Sequence, residues 1–138
     1  MLRNIDALFT HFLKNFSFLS LFLLRLTLGL AFIFHGLSKF PLPPQKLMEY
    51  FNFSPLLSSF VAISELSAGF FLIIAGFFKS YLANILTRLC SITIVIIMIF
   101  AFYLAHKDWF FNEKLFTSEQ IFLFFIGLFF FINGNKKF

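Results

Sequence analysis

Apolar residues dominate the chain in four long segments separated by short polar stretches. The segments run over about 16–37, 55–78, 82–104 and 116–132. A helix that crosses the ~30 Å hydrocarbon core needs about 20 mostly apolar residues, and the first three segments have that length. The fourth is the weakest, because polar residues at 117–120 occupy its first turn, so we expect it to be short or tilted. The pattern predicts an all-α fold: a four-helix transmembrane bundle that forms a single membrane domain over residues 1–138.

The composition agrees with membrane insertion. Of the 138 residues, 60% are hydrophobic and 12% are charged, whereas a soluble domain has about 25% charged residues. This excludes a soluble enzyme and a nucleic-acid-binding module, so we expect the lipid bilayer as a partner and no nucleic acid. The single cysteine, Cys90, excludes an internal disulfide.

Charged residues outside the spans, together with Arg88 just inside the third span, divide unequally between the two sides of the membrane. One side holds six basic residues and one acid: Arg3, Lys14, Lys79, Arg88, Lys136 and Lys137, with Asp6. The other holds four of each sign: Lys39, Lys46, Lys107 and Lys114, with Glu49, Asp108, Glu113 and Glu119. Because excess Lys and Arg mark the cytoplasmic side, we expect both termini to be cytoplasmic.

The loop after the first span is expected to contain a short helix. Pro41, Pro43 and Pro44 stop the first helix, and the mixed stretch Gln45–Phe51 that follows has the composition of a short amphipathic helix at the outer interface.

The first two spans share a spacing that recurs forty residues later. Arg25, Gly29, Gly36 and Lys39 correspond to Glu65, Gly69, Gly76 and Lys79. Consecutive spans run in opposite directions, so common ancestry predicts an inverted repeat. Coincidence between two Gly-containing apolar segments is the alternative.

Each charge inside these two spans shares a helical face with small residues. At about 100° per residue, Arg25 lies on the same stripe as Gly29 and Gly36, and Glu65 on the same stripe as Gly69 and Gly76. Small residues let helices approach closely in lipid, so we predict that the four glycines are helix-packing positions.

A lone charge in the membrane is costly, and we therefore predict an ion pair between Arg25 and Glu65. Alternatively, Arg25 reaches the inner interface, and Glu65 is a protonated acid.

Other polar residues extend the candidate site. The third span has a polar stripe, Asn84, Thr87, Arg88 and Ser91, from which Arg88 either reaches the interface or joins Glu65 as a second cation.

His35 and His106 are predicted at one membrane face, where histidines bind metals, relay protons, hydrogen-bond a quinone carbonyl or are simply hydrated. Their spacing supports no metal site, and the chain has no phosphate loop or nucleophile elbow. Any chemistry must therefore come from a cofactor or a partner.

Several motifs together resemble one family. They are Leu24-Arg25-Leu26, Gly29 and the run His-Gly-Leu-Ser-Lys-Phe at 35–40; Glu65, Ala68-Gly69 and the segment 72–77; and His106, Phe110-Phe111-Asn112 and Glu119. In order and spacing they resemble the DoxX family of small bacterial membrane proteins, in which an Arg in the first span precedes an HGxxK element and a Glu opens the block in the second span. The resemblance covers about residues 20–125, and Asn133-Gly134-Asn135 departs from the longer Gly-rich end of the family.

The resemblance implies a four-helix, multi-pass protein of the bacterial cytoplasmic (inner) membrane. Some relatives are linked to quinone-coupled oxidoreductases, including a thiosulfate:quinone enzyme, and others to membrane complexes that defend against oxidative stress. Carried onto this chain, the family positions are Arg25, His35, Gly36, Lys39, Glu65, Gly69 and His106.

These observations give one leading hypothesis and two alternatives. The leading hypothesis is an accessory or quinone-interacting subunit of a membrane oxidoreductase system, without a catalytic motif of its own. Its partner is a redox complex or a second copy, and its candidate ligand-binding residues are Arg25, His35, Lys39, Glu65, Arg88 and His106. The alternatives are a structural protein that recruits another chain and a small proton-coupled transporter.

Overall fold

The computed structural model describes residues 2–14 and 16–135, and all regular secondary structure within these ranges is helical. The α-helices are α1 (Leu2–Lys14), α2 (Ser17–Leu37), α3 (Gln45–Phe51), α4 (Pro55–Ala75), α5 (Tyr81–Ala105), α6 (Lys114–Thr117) and α7 (Glu119–Asn133). A 3₁₀ turn, Lys107–Phe111, follows α5.

Three helices, α2, α4 and α5, are long and apolar enough to cross a membrane, and α7 is a shorter apolar helix of 15 residues. At ~1.5 Å per residue, α7 is roughly 22 Å long, less than the ~30 Å hydrocarbon core. It begins at Glu119 and not at the predicted 116, because the backbone is extended at Ser118 (φ −93°, ψ 154°). Likewise α4 ends at Ala75, before the predicted 78.

Local sequence explains where the middle helices begin. The side chain of Ser54 accepts a hydrogen bond from the Leu57 N–H (3.2 Å), and Pro55 occupies the first turn of α4. At α5 the Ser80 side chain accepts from the Ala83 N–H (3.1 Å). N-cap hydroxyls and an early proline are typical helix-start signals, because the first N–H groups of a helix have no partner within it.

The long helices pack in chain order. Helix α2 lies along α4, α4 along α5 and α5 along α7, with a narrower contact between α2 and α7. The buried core consists of Leu28, Phe32, Ala68, Leu72, Cys90, Ile94, Met98, Phe102, Leu123 and Phe130. Bulky apolar side chains also cover the outside, among them Phe34, Leu56, Phe60, Phe70, Leu89, Phe100 and Phe125. Such an apolar exterior is suited to contact with lipid.

Helices α1 and α3 are not part of the packing of α2, α4, α5 and α7. The structure confirms the predicted helix Gln45–Phe51 as α3. The N-terminal arm, for which no helix was predicted, forms α1, whose apolar residues Leu8, Phe9 and Phe12 are exposed. Lys136 and Lys137, which contributed to the predicted orientation, lie outside the described residues.

Candidate functional site

Helices α2 and α4 approach most closely at a pair of glycines. A Cβ atom placed on Gly29 would lie 2.8 Å from the Gly69 carbonyl oxygen, and one placed on Gly69 would lie 2.5 Å from the Gly29 carbonyl oxygen. Farther along, a Cβ on Gly36 would lie 2.7 Å from the Leu66 backbone nitrogen. All three positions therefore lie at a helix contact that a side chain would force apart.

This crossing separates the two intramembrane charges. Arg25 precedes Gly29 by four residues and Glu65 precedes Gly69 by four, but the antiparallel helices carry them in opposite directions from the crossing. At ~1.5 Å per residue they are offset by roughly 12 Å along the helix axes. The predicted Arg25–Glu65 ion pair is therefore wrong, and each charge has other partners.

Glu65 pairs with a lysine from the end of α2. Its carboxylate binds the Lys39 ammonium, and the two side chains are 5% and 20% exposed, respectively. Nearby along the same helix, His35 Nε2 lies 3.4 Å from Glu119 Oε1 at the start of α7, with both side chains more exposed. We call His35, Lys39, Glu65 and Glu119 the Glu65 cluster.

Arg25 is bound at the opposite end of the helices by neutral acceptors. Its Nη1 donates to the Leu72 carbonyl and to Thr87 Oγ1, both at 2.9 Å, and its Nη2 donates to Asn135 Oδ1 at 2.5 Å. The guanidinium also lies 4.6 Å from the centre of the Phe130 ring. The carbonyl of Leu72 belongs to the last turn of α4, where oxygens lack helical partners and the helix dipole favours a cation.

Asn135 connects this arginine to α4, to α5 and to the loop between them. Its amide oxygen accepts from Thr87 Oγ1 (2.7 Å) as well as from Arg25, and its Nδ2 donates to the carbonyls of Ala75 (2.8 Å) and Phe78 (3.3 Å). Its backbone N–H donates to Asn84 Oδ1 (2.9 Å). Asn135 thus holds the chain after α7 against the ends of α4 and α5.

Arg88 does not join Glu65, which was one of the two outcomes expected from the sequence. Its Nη1 donates to the Phe131 carbonyl (2.8 Å) in the last turn of α7. Cations at helix C-termini commonly bind the unpaired carbonyls in this way. We call Arg25, Asn84, Thr87, Arg88 and Asn135 the Arg25 cluster.

A cavity of about 70 Å³ lies beside Arg25. Among the described residues, its lining includes the cationic Arg25 and Lys79 and the aromatic Phe18, Phe22, Phe78, Phe129 and Phe130. Gly76 forms part of the wall, and a Cβ there would lie 2.5 Å from Arg25 Cδ. The volume is several times the roughly 10–15 Å³ that one water needs, so a small polar group fits. We call this the Arg25 cavity.

His106 belongs to neither cluster. It follows α5, and its ring stacks on Trp109 with 3.6 Å between the ring centroids. Burial lowers the pKa of the imidazole, and the nearby Asp108 carboxylate opposes this shift. Among the described residues, no group of three histidine, cysteine or carboxylate side chains is arranged to hold a metal ion.

The sequence-based candidates therefore separate into two clusters, with His106 in neither, and one central residue was missed. Thr87 was part of the predicted polar stripe, but Asn135 was read only as a departure from the family pattern. A detectable signal was present in the sequence, because glycine is common directly after a helix and Gly134 follows an apolar helix. In the structure Gly134 adopts φ +64°. The asparagine after it is thereby turned back toward α4 and α5.

Comparison with known proteins agrees with these features. The DoxX family model matches residues 20–107, more than half of the chain. No curated protein and no solved structure matches it. The matched range contains α4, α5 and most of α2, the three helices long enough to cross a membrane. The chain therefore belongs to the DoxX family and is a multi-pass membrane protein in contact with lipid.

Proposed function

We propose that this DoxX protein is an accessory subunit of a membrane oxidoreductase system and binds a quinone headgroup at the Arg25 cavity. In this proposal α2, α4, α5 and α7 cross the bacterial cytoplasmic membrane as a four-helix bundle, with both termini cytoplasmic. The connectivity supports this topology, because Lys14 and Lys79 lie at the same end of the helices and Lys39 and Lys107 at the other.

The observation that carries the proposal is an aromatic-lined cavity with a buried arginine in its wall. A quinone has two carbonyl oxygens that accept hydrogen bonds and a flat ring that packs on aromatic side chains. Arg25 and Lys79 supply donors, and Phe18 and Phe22 supply apolar surface. The cavity is smaller than the ~150 Å³ that encloses a benzene ring. It therefore fits the carbonyl edge of a quinone, with the rest of the ring lying outside it.

The Arg25 cluster also favours a second candidate, a purely structural role. Hydrogen bonds from Arg25 reach α4, α5 and the segment after α7, so the arginine joins four elements whether or not a ligand binds. A structural arginine would be needed for stability alone, whereas a ligand-binding arginine would also be needed for quinone retention.

The test measures quinone in protein purified from bacterial membranes. Wild type is extracted with solvent for bound quinone, and protein reconstituted in lipid nanodiscs is titrated with a short-chain quinone. We expect Arg25→Gln to lose retained quinone and to weaken the titration by about tenfold, the cost of one good hydrogen bond to a ligand. Arg88→Gln is the matched control, because Arg88 belongs to the same cluster but does not line the cavity.

Glu65→Gln is a second control. Glu65 lies in the middle of α4 and does not line the Arg25 cavity, so its replacement should leave quinone binding unchanged. Absence of quinone from wild type in both assays would contradict the proposal. Equal binding by wild type and folded Arg25→Gln protein would support the structural role.

A further inference from the structure

The forty-residue repeat is also a repeat in space. The reciprocal contact of Gly29 with Gly69 lies at its centre, because each glycine faces the carbonyl oxygen of the other. A two-fold rotation about this contact would superpose α2 on α4. Each residue of α2 would then correspond to the residue forty positions later in the chain, and each residue of α4 to the residue forty positions earlier.

This exchange relates the two charged ends. Lys39 and Glu65, which form the ion pair, correspond to Lys79 and Arg25. Lys79 and Arg25 also lie together, since both line the Arg25 cavity. The two ends therefore hold corresponding positions of the repeat but differ in charge. The position of the carboxylate at one end is taken by a second cation at the other.

The second end has no countercharge in the described part of the chain. The acceptors of Arg25 are a carbonyl, a hydroxyl and an amide oxygen, all neutral. Within residues 2–14 and 16–135, no carboxylate lies within ion-pair distance of Arg25 or Lys79. Two cations that line one cavity raise its affinity for an anion, and the attraction is strongest at the buried Arg25, where the charge is screened least.

We propose that the Arg25 cavity takes its ligand as an anion, through a negatively charged oxygen that lies between Arg25 and Lys79. This inference rests on the proposed function in taking the ligand to be a quinone, here one whose ring hydroxyl is ionised. Neighbouring cations lower the pKa of such a hydroxyl and favour its anion. A lipid phosphate carries the same chemistry and is the other source of such an oxygen.

The experiment compares two matched probes in nanodiscs of zwitterionic phosphatidylcholine. An alkylated 2-hydroxy-1,4-naphthoquinone is ionised at neutral pH, and its 2-methoxy analogue is neutral. We expect wild type to bind the hydroxy compound at least about tenfold more tightly than the methoxy compound. This is the lower end of the effect that a neighbouring opposite charge has on the equilibrium between an acid and its anion. Lys79→Gln should remove most of this preference. Lys79 is exposed and its side chain forms no hydrogen bond or ion pair with the residues that the structure describes, so this variant should fold.

Lys46→Gln is the matched control, an exposed lysine on α3 at the opposite end of the helices. It should keep the full preference. A third arm measures the retention of phosphatidylglycerol relative to phosphatidylcholine by native mass spectrometry, in wild type and in Lys79→Gln.

The outcomes separate the two proposals. Equal binding of both naphthoquinones would overturn the anion site and leave the quinone function standing. Lys79-dependent retention of phosphatidylglycerol, with no naphthoquinone bound, would support the anion site and overturn the quinone function. A preference for the hydroxy compound that persists unchanged in Lys79→Gln would overturn the assignment to this cavity.

Discussion

At one end of the α2–α4 pair, the Lys39 ammonium binds the buried Glu65 carboxylate; at the other, neutral acceptors from three elements bind the buried Arg25 guanidinium. The difference follows from position. Glu65 lies in the middle of α4, where backbone N–H groups are used within the helix, so its donor must come from a side chain. Arg25 lies beside the last turn of α4, where backbone oxygens are available. A buried cation can therefore use a helix C-terminus, whereas a carboxylate in mid-helix needs a cation.

The largest effect should come from breaking the ion pair. In Lys39→Met the Glu65 carboxylate stays buried without its cation, and removing one partner of a buried pair costs about 3–5 kcal/mol. The free energy of unfolding, measured by SDS titration in mixed micelles at neutral pH, should fall accordingly. Replacing Glu65 by Met as well should recover most of the loss, because no charge is then left unpaired.

Lys46→Met is the control for this prediction. Lys46 is an exposed lysine, and its replacement should change the free energy of unfolding by less than about 0.5 kcal/mol. A loss in Lys39→Met no greater than in this control would show that Glu65 is stable without the ammonium.

The second-largest effect is expected at the contact of Gly29 with Gly69, where α2 and α4 cross between the Arg25 cluster and the Glu65 cluster. In Gly69→Ala the new methyl group meets the Gly29 carbonyl at 2.5 Å, so the helices must separate, at a cost of about 1–3 kcal/mol. In Gly127→Ala the nearest atom is the Ile94 Cγ2 at 3.1 Å. A side chain can move, and alanine gains up to ~1 kcal/mol of helix propensity over glycine. Thermal unfolding in detergent should therefore show a clear loss for Gly69→Ala and a small change for Gly127→Ala; equal losses would contradict the close crossing.

A smaller loss is expected at the Arg25 end. Thr87→Val preserves the shape of a fully buried side chain but removes the acceptor of Arg25 and the donor to Asn135. Since Arg25 retains two other acceptors, we expect a loss of about 1–2 kcal/mol in the free energy of unfolding. Thr93→Val is the same change on the same helix, but that hydroxyl donates to the Leu89 carbonyl of its own helix. Its effect should stay within about 0.5 kcal/mol.

The smallest expected effect is a pH dependence of stability that comes from His106 and not from the Glu65 cluster. Because burial lowers its pKa, the folded protein binds the imidazole proton less readily than the unfolded chain. The contribution of His106 to the free energy of unfolding is fully present above the imidazole pKa of the unfolded chain, about 6.5. This contribution declines as the pH falls through that value toward the pKa of the folded state. The ring stacks on Trp109, the single tryptophan, so a fluorescence titration should show a midpoint below about 6.5. His106→Gln should abolish this transition, and His35→Gln should preserve it.

The sequence predicted most of the secondary structure. Apolar length located α2, α4 and α5, and the prolines before Gln45–Phe51 together with its mixed composition located α3. Helix α1 was missed because a short amphipathic segment without a strong start signal resembles a charged arm. The start of α7 was misplaced because the break at Ser118 depends on backbone conformation and not on hydropathy.

The candidate site was predicted less completely. Intramembrane polar residues identified Arg25, Glu65, Thr87 and Arg88 as buried or partly buried groups, since such residues rarely face lipid. Their partners could not be derived the same way. The expected Arg25–Glu65 pair assumed that the ends of the apolar runs mark equal depths, whereas the close contact of Gly29 and Gly69 sets the actual register.

The amino-acid order alone therefore determined that this chain enters a membrane, how many long apolar helices it forms, and which side chains are too polar to face lipid. These properties depend on composition and local spacing, which a linear chain already contains. Only the tertiary structure decided which charge meets which partner. That choice depends on how far two antiparallel helices slide past each other, and a shift of a few residues, roughly 6 Å, exchanges one partner for another. It also brought Asn135, more than a hundred residues away in the chain, to the arginine that it binds.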